Sequence, residues 1–231
     1  MNARLRPIRL IVGCVLVSCS STAAPPPAST IPPPATTTTT TVDFAKSAVQ
    51  VVANGCSSIE VHGAGLMVGA GRIATVAHVV AGSKSVEVRG VRGTAQATIV
   101  YFDPVRDLAV LKVDPALAAP IGIGSAAAGD RGGVIVYRKE GAVELPVSVE
   151  RLVNIRTGDI YLQGKYIRPG YELNLDIQAG DSGAVVVIGG KAVALVWATS
   201  RETKARAWAM QTSLLADHLS GDTAVDHGDC A

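Results

Sequence analysis

The 231 residues carry 21 Lys and Arg against 19 Asp and Glu, a net charge of +2, and 48% of them are apolar. A balance this close to neutral, with only short or mixed basic clusters at Lys84 to Arg92 and Arg201 to Arg206, excludes a dedicated nucleic-acid binder. The histidines His62, His218 and His227 lack ligand spacing and no Cys-x-x-Cys occurs, so neither a metal site nor a cofactor is expected.

The chain opens on a targeting segment, residues 1–18. Arg4, Arg6 and Arg9 make a basic start, Ile8 to Val17 is mostly apolar, and Leu16-Val17-Ser18-Cys19 fits a bacterial lipobox. The pattern predicts cleavage before Cys19 and acylation on it, giving an extracytoplasmic, membrane-anchored lipoprotein. Ile11-Val12-Gly13-Cys14 fits the same pattern over a shorter apolar stretch. An uncleaved anchor is the other alternative, although about ten apolar residues fall short of the roughly 20 that cross a bilayer. Residues 19–42 follow as a tether of Pro, Ala, Ser and Thr with no apolar face to bury, an extended and partly polyproline II spacer.

From residue 43 to 231 short apolar runs rich in Val and Ala are divided by Gly, Asp and Pro, which is a β pattern. Strands are predicted at Ser58 to Val61, Gly65 to Val68, Arg72 to Val76, Ser85 to Val88, Gln96 to Tyr101 and Leu108 to Val113. After a connector from Pro115 to Gly124, further strands are predicted at Val134 to Tyr137, Pro146 to Val153, Asp159 to Leu162, Glu172 to Ile177, Ala184 to Ile188, Ala192 to Trp197 and Ala205 to Met210. Thr212 to Leu219 reads as a helix with Leu214, Leu215 and Leu219 on one face.

Three segments carry chemistry: Thr75-Val76-Ala77-His78, Asp107-Leu108-Ala109-Val110-Leu111 and Gly180-Asp181-Ser182-Gly183. A serine hydroxyl is a poor nucleophile until a base takes its proton, and histidine is mostly neutral at pH 7 and suited to the task. A buried carboxylate on the other ring nitrogen fixes the tautomer. Asp107 stands at the edge of a buried strand, whereas Asp103 and Asp114 adjoin prolines and read as turn residues. Gly180 allows a tight turn whose N–H, with that of Ser182, can face a developing oxyanion.

These residues, in His, Asp, Ser order, resemble a trypsin-like serine protease of the bacterial envelope, close to the HtrA-like and membrane-tethered actinobacterial branches. Gly71 to Gly82 resembles the histidine strand and its turn, Gly189 to Ala198 the hairpin after the serine, and Ala207 to Met210 the final strand. The resemblance covers most of residues 58 to 220. It implies an all-β fold of two six-stranded antiparallel β-barrels, at about 44–114 and 121–212, with a short C-terminal helix at 212–219. It implies a serine endopeptidase with catalytic His78, Asp107 and Ser182 and an oxyanion hole at Gly180 and Ser182. An extended peptide or protein substrate would pair with the edge at Val196, Trp197 and Ala198. No Ile-Val-Gly-Gly-like start is visible to supply an amino terminus to Asp181, and the resemblance to secreted bacterial relatives with an internal arginine points to Arg138 for that role. Asp176, near the place of the trypsin branch's specificity carboxylate, either selects basic side chains or faces water. Ala184 departs from the Ser-Gly-Gly-Pro of many relatives and adds a methyl beside the cleft. With Cys14 removed and Cys19 acylated, Cys56 and Cys230 remain, and outside the cytoplasm such a pair favours a disulfide. The tethered relatives have a comparable early-to-late bridge. The expected product is a monomer, and a catalytically inactive binding module of the same fold is the alternative.

Overall fold

The computed structural model describes residues 44–55, 58–138 and 141–231. The expected leader, Cys19, the expected tether and Cys56 lie outside the described residues. No helix among the described residues is long and apolar enough to cross a membrane, and they contain no acidic, His or Cys cluster able to hold a metal.

The first six strands are β1 (Ala48–Asn54), β2 (Val61–Gly69), β3 (Arg72–Thr75), β4 (Ser85–Gly90), β5 (Gly93–Asp103) and β6 (Leu108–Lys112), and one short helix, α1 (Ala77–Val80), lies between β3 and β4. They close an antiparallel barrel in the order β1-β2-β3-β6-β5-β4. The second six are β7 (Arg131–Arg138), β8 (Gly141–Thr157), β9 (Tyr166–Asn174), β10 (Val185–Ile188), β11 (Lys191–Thr199) and β12 (Arg206–Gln211). They close a second barrel, β10-β11-β12-β9-β8-β7. Closure removes the open edges that such valine-rich strands would otherwise present to other chains.

The strand assignments differ from the sequence pattern at four places, one of them β9, which runs over Tyr166–Asn174 where Glu172 to Ile177 was expected. β1 was hidden because Ala48, Val49, Val51, Val52 and Ala53 are all buried, so the run shows no alternation next to the tether. Ser58 to Glu60 is exposed and irregular, and only Val61 of the predicted first strand is in a sheet. Asp159 to Leu162 is a turn: the Asp159 carboxylate accepts from the Tyr161 and Gln163 N–H groups, and Leu162 has φ of 61°. An aspartate that folds its own backbone in this way competes with strand pairing. The C-terminal helix is a 3-10 helix, Thr212–His218, with Leu215 buried and Leu214 and Leu219 packed against the core. The Thr212 hydroxyl anchors it on the Ala192 carbonyl at 2.7 Å.

Leu66, Ile73, Leu108 and Leu111 fill the first barrel, and Ile135, Val185, Val187, Leu195 and Met210 from the second join the same apolar cluster. Another cluster, around Val134, Val147, Tyr171, Leu173 and Ala194, fills the second barrel. Each fully buried Leu or Ile contributes about 1.5–3 kcal/mol over its exposed state, so the shared cluster resists separation of the barrels. That resistance holds the ends of α1 and β6 against the turn before β10.

Candidate active site

His78 is the second residue of α1, directly after β3, and Asp107 ends the turn before β6. Because β3 and β6 are neighbours in register, with Thr75 opposite Ala109, the two residues come out at the same end of the barrel. Asp107 adopts φ of 57°, a left-handed conformation that aspartate tolerates better than most side chains. Its carboxylate is 2% exposed and grips His78 at two points: Oδ1 accepts from the backbone N–H at 2.9 Å, and Oδ2 accepts from Nδ1 at 2.8 Å. This arrangement places the proton on Nδ1 and leaves Nε2 as the basic nitrogen. Asp103 is engaged elsewhere, accepting from Tyr101 and Arg106, and Asp114 is exposed before a cis proline.

Ser182 lies in the turn between β9 and β10. Its carbonyl accepts from the Ala64 N–H of β2 at 2.8 Å, a main-chain bond from one barrel to the other. A side chain on Gly63 would meet that carbonyl at 2.9 Å and Val79, the neighbour of His78, at 2.8 Å, so Gly63 lets the serine turn and α1 approach each other. Gly183 has φ of 83°, and a Cβ there would lie 2.1 Å from the Ala64 carbonyl oxygen. The buried Thr75 hydroxyl donates to the same oxygen at 2.8 Å. The turn itself is held by Asp181 N–H to Gln178 O, Gln178 N–H to Asp181 Oδ2 and Ala184 N–H to Asp181 O. Among the described residues, the N–H groups of Gly180 and Ser182 have no acceptor, and no hydrogen bond joins the Ser182 hydroxyl to His78. Catalytic hydrogen bonds of this kind often tighten only when substrate is bound.

Arg138, at the end of β7, reaches the fully buried Asp181 with both terminal guanidinium nitrogens, Nη1 to Oδ1 and Nη2 to Oδ2, the latter at 2.8 Å. The pair is a bidentate fork, the geometry in which a guanidinium matches a carboxylate best. The sequence model of the trypsin-like peptidase domain matches residues 63–195, more than half of the chain. The chain belongs to the trypsin-like peptidase family. It is 28% identical over 143 residues to serine protease Rv3671c of Mycobacterium tuberculosis, an alignment covering 60% of this chain and 36% of that protein. The chain thus spans about a third of the length of the curated relatives it matches. The active form of the Rv3671c protease superposes with a TM-score of 0.75 at 25% identity, over 94% of this chain and 99% of that one. The HtrA-type protease AlgW with a tripeptide shares the fold, with a TM-score of 0.63 at 21% identity over 75% of this chain and 58% of that one.

Within this peptidase fold the remaining candidates separate. Val196 is committed to the serine turn, donating to Ala184 O and accepting from Gly183 N–H, both at 2.8 Å. The edge expected at Val196, Trp197 and Ala198 thus begins where β11 parts from β10. A bulge at Trp197 separates the Val196–Ala209 pair from the Ala198–Trp208 pair. Trp197 faces Arg168, whose guanidinium carbon lies 5.2 Å from the ring centre. Asp176 is exposed beside buried Leu175. Cys230 is disulfide-bonded, while Cys56 lies outside the described residues. Gly63 and Arg168 were not picked out from the sequence, and Thr75 stood in the histidine segment without a role of its own; only the lone cation of Ile167-Arg168-Pro169-Gly170 offered a signal, and that stretch carried no predicted strand.

Proposed function

We propose that the chain is a serine endopeptidase in which Ser182 attacks the scissile carbonyl. His78 Nε2 takes the hydroxyl proton and returns it to the leaving amine, while Asp107 holds the ring and stabilises the imidazolium. The Gly180 and Ser182 N–H groups receive the oxyanion, and the Arg138–Asp181 fork keeps their turn in place without processing of the chain. The substrate, an extended peptide or protein segment, pairs with the edge of β11 at Val196, Trp197 and Ala198. The observation that carries this reading is the two-point grip of Asp107 on His78, together with a serine turn whose Gly180 and Ser182 amides have no acceptor among the described residues.

Acylation of Cys19 would tether the domain to the outer face of the membrane through residues 20–42, with envelope proteins as substrates. A Cys56–Cys230 disulfide fits the local path of the chain. Lys84 N–H donates to Asn54 O, and Gly82 N–H donates to His227 O, which brings the last residues beside the segment that leads to Cys56. Closing so long a loop is worth about 5 kcal/mol in the chain-entropy account.

The test is fluorophosphonate labelling of the full chain, with the adduct located by mass spectrometry and Ser182→Ala as control. An adduct on Ser182 that vanishes above the guanidinium unfolding midpoint is expected. A folded, disulfide-bonded chain that takes no label would favour the binding module.

A further inference from the structure

Arg168 is the largest side chain among those fully enclosed by the protein, a cation with 2% exposure on β9 of the second barrel. Buried charges are costly unless each polar atom is used, and here each nitrogen has a recognisable task. Nε donates to the Val105 carbonyl at 2.6 Å, and Nη2 donates to the Gly158 carbonyl at 2.8 Å. Nη1 lies 4.0 Å from Asp107 Oδ2, the oxygen that accepts from His78. The face of the group covers Trp197 at the bulge of β11. Val105 is two residues before Asp107, inside the turn that puts Asp107 at positive φ. One guanidinium from the second barrel thus spans the His78–Asp107 pair, the turn that carries Asp107 and the strand where substrate would lie.

We infer that Arg168 is a positioning residue and counter-charge for Asp107, fixing its turn across the barrel interface and offsetting part of the carboxylate's hold on protonated His78. The inference rests on the peptidase reading for its kinetic readouts and on geometry alone for its site. The charged groups around the guanidinium are Asp107, Asp103 and Asp159; Arg106 is held by Asp103 at the surface. Burial pulls Arg168 below the ordinary arginine range and these three carboxylates pull it back, so it stays a cation at any working pH. The sign of its action follows. Asp107 favours imidazolium, Arg168 opposes it, and removing Arg168 lets His78 hold its proton to higher pH.

The experiment compares the full chain with Arg168→Met, Arg168→Gln and Arg168→Lys, following the acidic limb of kcat/KM against pH and the His78 ring-proton shifts by NMR. In Arg168→Met and Arg168→Gln, the limb and the NMR midpoint move up by about one pH unit, and kcat falls about tenfold to a hundredfold with KM little changed. Arg168→Gln keeps a donor for one of the two carbonyls and so separates charge from support. Arg168→Lys keeps the charge, and its limb stays at the wild-type pH while kcat falls. A limb that moves by less than about 0.2 unit in either neutral variant overturns the inference. Should neither neutral variant fold, a limb displaced by half a unit or more in Arg168→Lys overturns it. Wild-type chain that takes no fluorophosphonate at Ser182 counts against the peptidase reading, whereas the NMR midpoint reports on Arg168 whether or not the chain turns over.

Discussion

Replacing Arg138 by Met tests the brace of the serine turn. Methionine keeps an unbranched apolar stem and removes the charged fork, leaving Asp181, which has no solvent exposure, with the Gln178 N–H as donor to its carboxylate. A buried charge stripped of its partner costs about 3–5 kcal/mol, and the 20% exposure of Arg138 puts the expected loss near the lower end, at about 3 kcal/mol. With a urea dependence of about 2 kcal/mol per molar, the unfolding midpoint should fall by about 1.5 M. The same turn carries the Gly180 and Ser182 amides, and losing one well-aimed oxyanion donor costs about a hundredfold or more in rate. Fluorophosphonate labelling of Ser182, measured well below the new midpoint, should therefore slow by about two orders of magnitude. The double variant Arg138→Met with Asp181→Asn removes the stranded charge and keeps an acceptor for Gln178, so most of the stability returns. The reasoning fails if Arg138→Met shifts the midpoint by less than about 0.3 M and labels at the wild-type rate.

Gly183→Ala drives a methyl towards the Ala64 carbonyl at a positive φ, and should cost about 2–4 kcal/mol in urea unfolding and abolish labelling. Gly180→Ala has no neighbour to meet and only its φ of 94° to oppose it, so the loss should be about 1–2 kcal/mol; equal losses at the two glycines would contradict the contact argument. Asp107→Asn should lower kcat/KM about ten-thousandfold, because a neutral amide cannot hold His78 with its proton on Nδ1 and stabilise imidazolium. On the alkaline side, burial pushes Tyr137 up to about 12. The unfolded chain loses this proton near pH 10 and the folded chain does not, so stability is full below pH 10 and declines as pH rises to 12. The part of that decline owed to Tyr137, about 1–2 kcal/mol after allowance for solvent contact, should be missing in Tyr137→Phe when urea midpoints are compared between pH 9 and pH 12.

Local chemistry was enough for several features, because they are written within a few residues. The β class follows from short apolar runs between glycines and prolines, and the Gly180 to Gly183 turn from residues whose backbone preferences are their own. Asp107 could be chosen over Asp103 and Asp114 because a neighbouring apolar run marks the edge of a core, and the structure places its carboxylate against His78. Uniform burial, by contrast, erased the alternation that would have marked β1, and the Asp159 side chain turned an apparent strand into a loop. What lay beyond the sequence was every relation between the barrels. Ala64 meets Ser182 and Arg168 meets Asp107 far apart in the sequence, and nothing near each residue names its partner, while the pair of Arg138 with Asp181, within the second barrel, was expected from the family resemblance alone. A buried arginine in a strand carries no local mark of its purpose; only closure of two barrels around one apolar cluster decides which carboxylate it faces.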